Sequence, residues 1–342
     1  MINSPSGHDI LRLSILVVSR TVELLNGLLQ SLNQACGLPS HEVEILCSWN
    51  GSADDERHLR NQSRYDLRIC QRDPYHFASN INSLGRQATG AAVLLANDDL
   101  VLDPGCVDAG LKLLEADAGV GLVGALLRDE QARLCHLGIH FDSEGSAYHV
   151  LDGQWPHQEA TRVASGPVPA VTGALQWIRR SDLQTLNLNE AYAVCGEDVE
   201  LCLDVQQHLG KQVWLCAEAQ AIHQGESTRA QQPGQGANPH DQERLRLRYM
   251  AFVKHASTDQ LRLMLCRQQW ESAQLRALAG EHARRLNELA SRHATQLETL
   301  ITSHDLRTAL QQQELRQAER VRDELQAALL ARQEQPLTRQ QP

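Results

Sequence analysis

Two adjacent carboxylates, Asp98 and Asp99, stand at the end of the charge-free run Ala91–Ala96, one residue after it. Neighbouring anions repel, so such a pair is most stable with a cation beside it. Mg²⁺ and Mn²⁺ are commonly held by one or two protein carboxylates together with phosphate oxygens. The pair therefore suits a divalent ion that bridges protein and diphosphate. A solvated turn explains the same residues, because Asn97-Asp98-Asp99 runs on into Leu100-Val101-Leu102-Asp103-Pro104-Gly105. A second acidic pair, Glu197-Asp198, follows Gly196. A carboxylate there could take a proton from an attacking hydroxyl. Acidic residues in a first helical turn also stabilise the helix dipole with no catalytic role. His223 ends the segment Ala221-Ile222-His223 and could ligate a metal or simply pack. Four further histidines, His136, His140, His149 and His157, match no zinc spacing and are read as structural.

These groups need a scaffold. Ala91–Ala96 reads as a strand buried on both faces, as in a parallel sheet. Ligands of open α/β sheets bind at the carboxyl edge, where Asp98 and Asp99 would emerge. Leu13–Val18, Val43–Cys47 and Leu67–Cys70 read as three earlier strands, with a helix after Thr21 whose apolar face is Leu24, Leu25, Leu28, Leu29 and Leu32. Residues 54–62 and 80–90 read as helices, so the order is β-α-β-α-β-α-β. That order predicts an α/β fold, a mostly parallel central sheet flanked by helices. Later, 107–116 reads as a helix, 120–127 and 170–179 as strands, 197–209 as a helix and 212–216 as a strand. Cys135–Pro169 reads as loop-rich, and Gln231–Asn238 as a chain breaker before a helix over 244–254.

Net charge is −10, which argues against nucleic acid as the main partner. From Ala256 onward acidic and basic residues nearly balance, so the negative charge lies in the first 255 residues, where a divalent cation would be at home. Nine cysteines without a CxxC pair suggest buried thiols in a reducing compartment. Met1–Ile10 has neither the basic nor the apolar region of a signal peptide, and no window approaches the roughly 18 apolar residues of a membrane span. A cytoplasmic location is expected, compatible with peripheral membrane contact. From Thr258 to Arg332 the chain is rich in Leu, Ala, Arg, Glu and Gln, with Gly280 as its one glycine and no proline. Leu275, Leu286, Leu289, Leu297, Leu300, Leu310, Val321 and Leu325 recur at helical spacing, with His293 and His304 near the seam. A long helix, a coiled coil that self-associates or binds a partner helix, is expected over 256–342 with a disordered end. A polar helix fraying in solution fits the same composition. Residues 1–255 form the other expected domain.

Six stretches, in order, resemble family-2 glycosyltransferases of the GT-A fold, closest to bacterial rhamnosyltransferase-like members: LSILVVSR, EILCSWNGS, NINSLGRQATGAAVLLANDD, AVTGALQWIRRSDL, GEDVELCLD and AIHQGEST. They span about 220 residues and leave the tail uncovered. The resemblance implies inverting, metal-dependent transfer of a sugar from a nucleotide-diphosphate sugar to a hydroxyl on a carbohydrate, lipid-linked or protein acceptor, in bacterial surface polysaccharide or glycoconjugate synthesis. It implies Asp198 as general base with Glu197 orienting the acceptor, and Asp99 and His223 as ligands of Mn²⁺ or Mg²⁺. Asp98 would lie nearer the ribose, and Ser19 on the first strand would belong to the nucleotide site. Asn80 and Asn82 would touch the nucleotide or cap a helix. Two departures stand out. Trp49 replaces the family's base-binding Asp and could stack on a base instead. After Leu183 the usual Gly-Gly-Phe-Asp-Glu is reduced to Asn189-Glu190. The alternative reading is a degenerate transferase acting as a binding or scaffold module, with the helical tail mediating the interactions.

Overall fold

The computed structural model describes residues 11–224 and 238–333. Met1–Ile10, Gly225–Thr228 of the histidine motif and most of the Gln231–Asn238 breaker lie outside the described residues. Twelve strands occur among the described residues: β1 (Leu13–Ser19), β2 (Val43–Trp49), β3 (Asp66–Gln71), β4 (Ala92–Asn97), β5 (Leu100–Leu102), β6 (Val120–Arg128), β7 (Leu134–His136), β8 (Ile139–Phe141), β9 (Ala147–His149), β10 (Gly166–Pro167), β11 (Leu175–Arg179) and β12 (Gln212–His223). The helices are α1 (Val22–Ala35), α2 (Ala53–Glu56), α3 (Phe77–Gln87), α4 (Cys106–Ala116), α5 (His157–Ala160), α6 (Arg180–Leu186), α7 (Glu197–His208), α8 (Pro239–His255) and α9 (Thr258–Gln333).

The main sheet runs β10-β12-β6-β11-β4-β1-β2-β3, with β5 paired to β12 and β7 to β6. Its first-half strands β3-β2-β1-β4 are all parallel, as the alternating pattern requires. Beyond β4 the sheet is mixed: β11 runs antiparallel to both β4 and β6, and β6 is parallel to β12. Every residue of β1 is buried, because successive side chains enter opposite, equally covered faces. Leu13, Ile15 and Val17 join one core with α1 and α4, through Leu25, Leu28, Leu29, Val107 and Leu111. Leu16 and Val18 join the other with α3 and α7, through Ile81, Leu84, Val199 and Cys202. Each fully buried Leu or Ile contributes roughly 1.5–3 kcal/mol. This two-sided burial fixes where β4 ends.

Several sequence-derived bounds move. The helix expected over 54–62 is only α2, four residues capped by Ser52, whose Oγ accepts from Asp55 N–H. The strand expected from Ala170 begins at Leu175, because 172–174 turn back toward α7. The segments 212–216 and 221–223 are one strand, β12, with an irregularity between Cys216 and Gln220. The loop-rich stretch 135–169 contains the hairpin β8–β9, an isolated two-stranded sheet. Of the nine cysteines, Cys36, Cys47, Cys106, Cys202 and Cys216 are buried and Cys266 is exposed; all are free thiols.

The chain divides into two compact units, Met1–Ala273 and Gln274–Pro342. Residues 256–273, placed with the tail on sequence grounds, belong to the first. There Glu271 accepts hydrogen bonds from Tyr148 Oη (2.9 Å) and faces His140 Nδ1 (2.8 Å), and Trp270 packs edge-on against Trp155. Among the described residues no helix is long and apolar enough to cross a membrane.

Candidate active site

Asp98 and Asp99 emerge at the carboxyl end of β4, between β1 and β11. Both are buried. The register β1–β4 ends at Val18–Asn97, so the next residue of β1, Ser19, reaches Asp98; its Oγ donates to Oδ2 over 2.7 Å. Burial pushes the Asp98 carboxyl up to about 6; the Ser19 hydrogen bond opposes this, and the charge of Asp99 adds to it. Asp99 faces the other way. Its Oδ1 lies 3.3 Å from His223 Nε2 at the end of β12, and its carbonyl accepts from Gln224 N–H. The pairing of β12 with β5, His223 against Leu100, brings the two together. These residues are 124 positions apart by number, yet one ladder fixes their separation.

Asp198 arrives from the other side. Asn97 N–H donates to Ala174 O, and Gly173 N–H donates to Asp198 Oδ2 over 2.5 Å. The turn 172–174 thus ties the end of β4 to the first turn of α7. That helix begins at Gly196, whose φ of 112° favours glycine, and a Cβ there would lie 2.8 Å from Tyr192. Glu197 is buried, whereas Asp198 is half-buried. The loop before α7 is held by Asp241 of α8, 2 % exposed, whose carboxylate accepts from Ala193, Val194 and Cys195 N–H at 2.7–3.2 Å. Nothing in its local sequence marks that role; only the fold brings α8 under the loop.

Two of the four histidines read as structural meet beside this turn. His136 Nδ1 lies 3.1 Å from His149 Nδ1, and its Nε2 accepts from Thr172 N–H at 3.3 Å. An acceptor Nε2 in a neutral imidazole places the His136 proton on Nδ1, and His149 Nδ1 also lies 3.1 Å from the carbonyl oxygen of Cys135. Burial, with His149 and His223 nearby, holds His136 well below the ordinary imidazole value. His140 sits with Glu271, and His157 with Gln220, so the four form no common site. Their spacing of 13 residues hides the first contact, since a β-hairpin intervenes.

Three predicted nucleotide residues are engaged elsewhere. Trp49 is 1 % exposed, packs beneath Gly51 and donates its indole N–H to Ser52 O; it offers no stacking face. Asn82 spends its side chain on Leu188 N–H, Leu188 O and Glu190, holding the loop where the Asn189-Glu190 remnant lies. Asn80 accepts from His76 N–H at the start of α3, which is the capping alternative. Among the described residues no cluster of three or more His, Cys, Asp or Glu side chains could hold a metal by itself.

Residues 14–186 match the model of the family "Glycosyl transferase family 2". The chain is 28 % identical over 225 residues to N-acetylglucosaminyl-diphospho-decaprenol L-rhamnosyltransferase of Mycobacterium tuberculosis, covering 58 % of this chain and 71 % of that one, in each of two strains. Among solved structures, a mannosyltransferase of Pyrobaculum calidifontis in complex with GDP-Man and Mn²⁺ superposes with a TM-score of 0.47 at 14 % identity, covering 77 % of this chain and 75 % of that one. Residues 1–349 of S. aureus TarS in complex with UDP superpose with a TM-score of 0.48 at 12 % identity, covering 74 % and 68 %.

Proposed function

This chain belongs to glycosyl transferase family 2, and on that premise we propose that it moves a sugar from a nucleotide-diphosphate donor to a hydroxyl acceptor in one inverting displacement, with Asp198 as general base. One observation carries the reading: Gly173 and Ala174 hold Asp198 and the end of β4 through consecutive backbone groups. The base and the Asp98-Asp99 pair therefore share one rigid edge. In the displacement, Asp198 accepts the hydroxyl proton as the oxygen attacks the anomeric carbon. Fixed negative charge beside that carbon favours its oxocarbenium character. Glu197, one residue earlier on the helix and so turned by about 100°, faces a different direction and orients the acceptor.

Asp99 and His223 fit a divalent ion that the donor's diphosphate would complete. Two protein groups plus phosphate oxygens is a usual set for Mg²⁺, and imidazole also suits Mn²⁺. The ion would neutralise charge on the departing diphosphate. Ser19 and Asp98 lie beside it, where a ribose hydroxyl would be received. The donor is a hexose or deoxyhexose, and the acceptor a carbohydrate, lipid-linked or protein hydroxyl in bacterial surface polysaccharide or glycoconjugate synthesis. The mycobacterial relative, named for transfer of rhamnose to a diphospho-decaprenol-linked sugar, supports a deoxyhexose and a lipid-linked acceptor. We assign the reaction to the cytoplasm. The engaged positions of Trp49 and Asn82 leave base recognition to other groups.

The test is release of nucleoside diphosphate from a panel of nucleotide sugars, with and without Mn²⁺. Turnover of one donor that depends on the metal supports the reading. Binding without turnover of any donor, across lipid-linked and free acceptors, would favour a scaffold role instead.

A further inference from the structure

The second unit carries a repeat of 11 residues. Segments 275–285, 286–296 and 297–307 each place Leu first and fourth and His eighth: Leu275, Leu278 and His282; Leu286, Leu289 and His293; Leu297, Leu300 and His304. Steps of three, four and four residues complete three turns in eleven, about 3.67 residues per turn against 3.6 for a straight helix. The stripe therefore stays on one face with a slight right-handed drift. Its second and third repeats are uncovered: Leu286 and Leu300 are each 66 % exposed, Leu297 59 % and Leu289 48 %, while in the first repeat Leu275 is 39 % exposed and Leu278 half-buried. A strict heptad begun at Leu275 keeps His282 in phase but carries Leu286 and Leu297 off its seam, which is why the seam is imperfect as a heptad.

We propose that residues 275–307 are the seam of a right-handed coiled coil between copies of this chain. An extended seam needs a partner with the same period, or contact is lost within a few turns. A second copy carries that period by construction. Charge permits it: the three repeats hold five Arg and four acidic residues, so a copy meets almost no net repulsion. Area permits it too. Three repeats span about 50 Å of helix axis, and a stripe roughly 10–12 Å wide buries about 1,000–1,200 Å² in total, enough for a specific interface. Leucine layers then pack on leucine layers, with a histidine layer after each pair, a polar element that sets register.

The experiment is sedimentation equilibrium of the full chain across a wide concentration range, for the parent and for Leu289→Glu/Leu300→Glu. Both positions are exposed and glutamate is a good helix former, so the first unit should keep its unfolding transition. The expected result is two or more chains for the parent and 38.0 kDa, one chain, for the variant. The double alanine variant at the same positions should fall between them. A parent at 38.0 kDa throughout would overturn the proposal, and so would a glutamate variant that keeps the parent's mass.

Discussion

The backbone N–H of Gly173 and the Oδ2 of Asp198 are 2.5 Å apart, and a Cβ at residue 173 would lie 2.8 Å from the Cβ of Asp198. The glycine is therefore both the donor that orients the carboxylate and the gap that admits it. Gly173→Ala should push Asp198 off its present position and lower turnover with little change in donor affinity. Asp198→Asn keeps the shape and removes the basicity. It should lower turnover by about 10²–10⁴, the usual contribution of a general base. Glu197→Gln should raise the acceptor KM instead. Steady-state kinetics with donor and acceptor varied separately would check all three; a fully active Asp198→Asn beside a dead Glu197→Gln would reverse the roles.

Asp99 and His223, 3.3 Å apart across the β5–β12 ladder, should fail together. Asp99→Asn and His223→Ala should each abolish the gain in nucleoside diphosphate affinity that Mn²⁺ gives, measured by calorimetry. Equal affinity with and without metal in the parent would remove the metal from the reading.

Where the chain may be cut follows from Glu271. Ending it after His255 strips Glu271 from His140 and Tyr148, both hydrogen-bonded to it, and takes the buried Met264 out of the core. Each buried polar group left unsatisfied costs about 1–3 kcal/mol. At roughly 2–4 °C per kcal/mol, the midpoint of thermal unfolding should fall by several degrees. A chain ending after Gly280 should keep the parent midpoint. Calorimetric scans of the two truncations would decide, and equal midpoints would show that residues 256–273 add nothing.

Acid should destabilise the first unit through its buried histidines. His136 and His140 are held below the usual imidazole value by burial, with Glu271 partly offsetting this at His140. The unfolded chain binds their protons first, from about pH 6.5 downward. Their contribution is therefore complete above that pH and is lost as pH falls toward the folded values, by at most about 1.4 kcal/mol per pH unit for each group. His136→Gln should flatten the slope of stability against pH between neutrality and mild acid. Urea unfolding at a series of pH values would measure it; an unchanged slope would mean that His136 titrates alike in the folded and unfolded chains.

What was legible in the chain was whatever local spacing controls. Apolar runs of five to seven residues named β1, β2 and β4 and their parallel order, because two-sided burial leaves no other pattern. The ends of those runs named Asp98 and Asp99. Matching the order of six short stretches to a family named Asp198 and His223. The tertiary structure decided what depends on contacts between distant residues. It turned β11 antiparallel, put Asp99 against His223, and set Asp198 on Gly173. It withdrew Trp49 into the core and gave Asn82 to a loop, since neither a buried ring nor a spent amide differs in sequence from a free one. It also brought His136 to His149 and Asp241 under the loop before α7. Hydrogen bonds of this kind have no period along the chain, so only the folded backbone can reveal them.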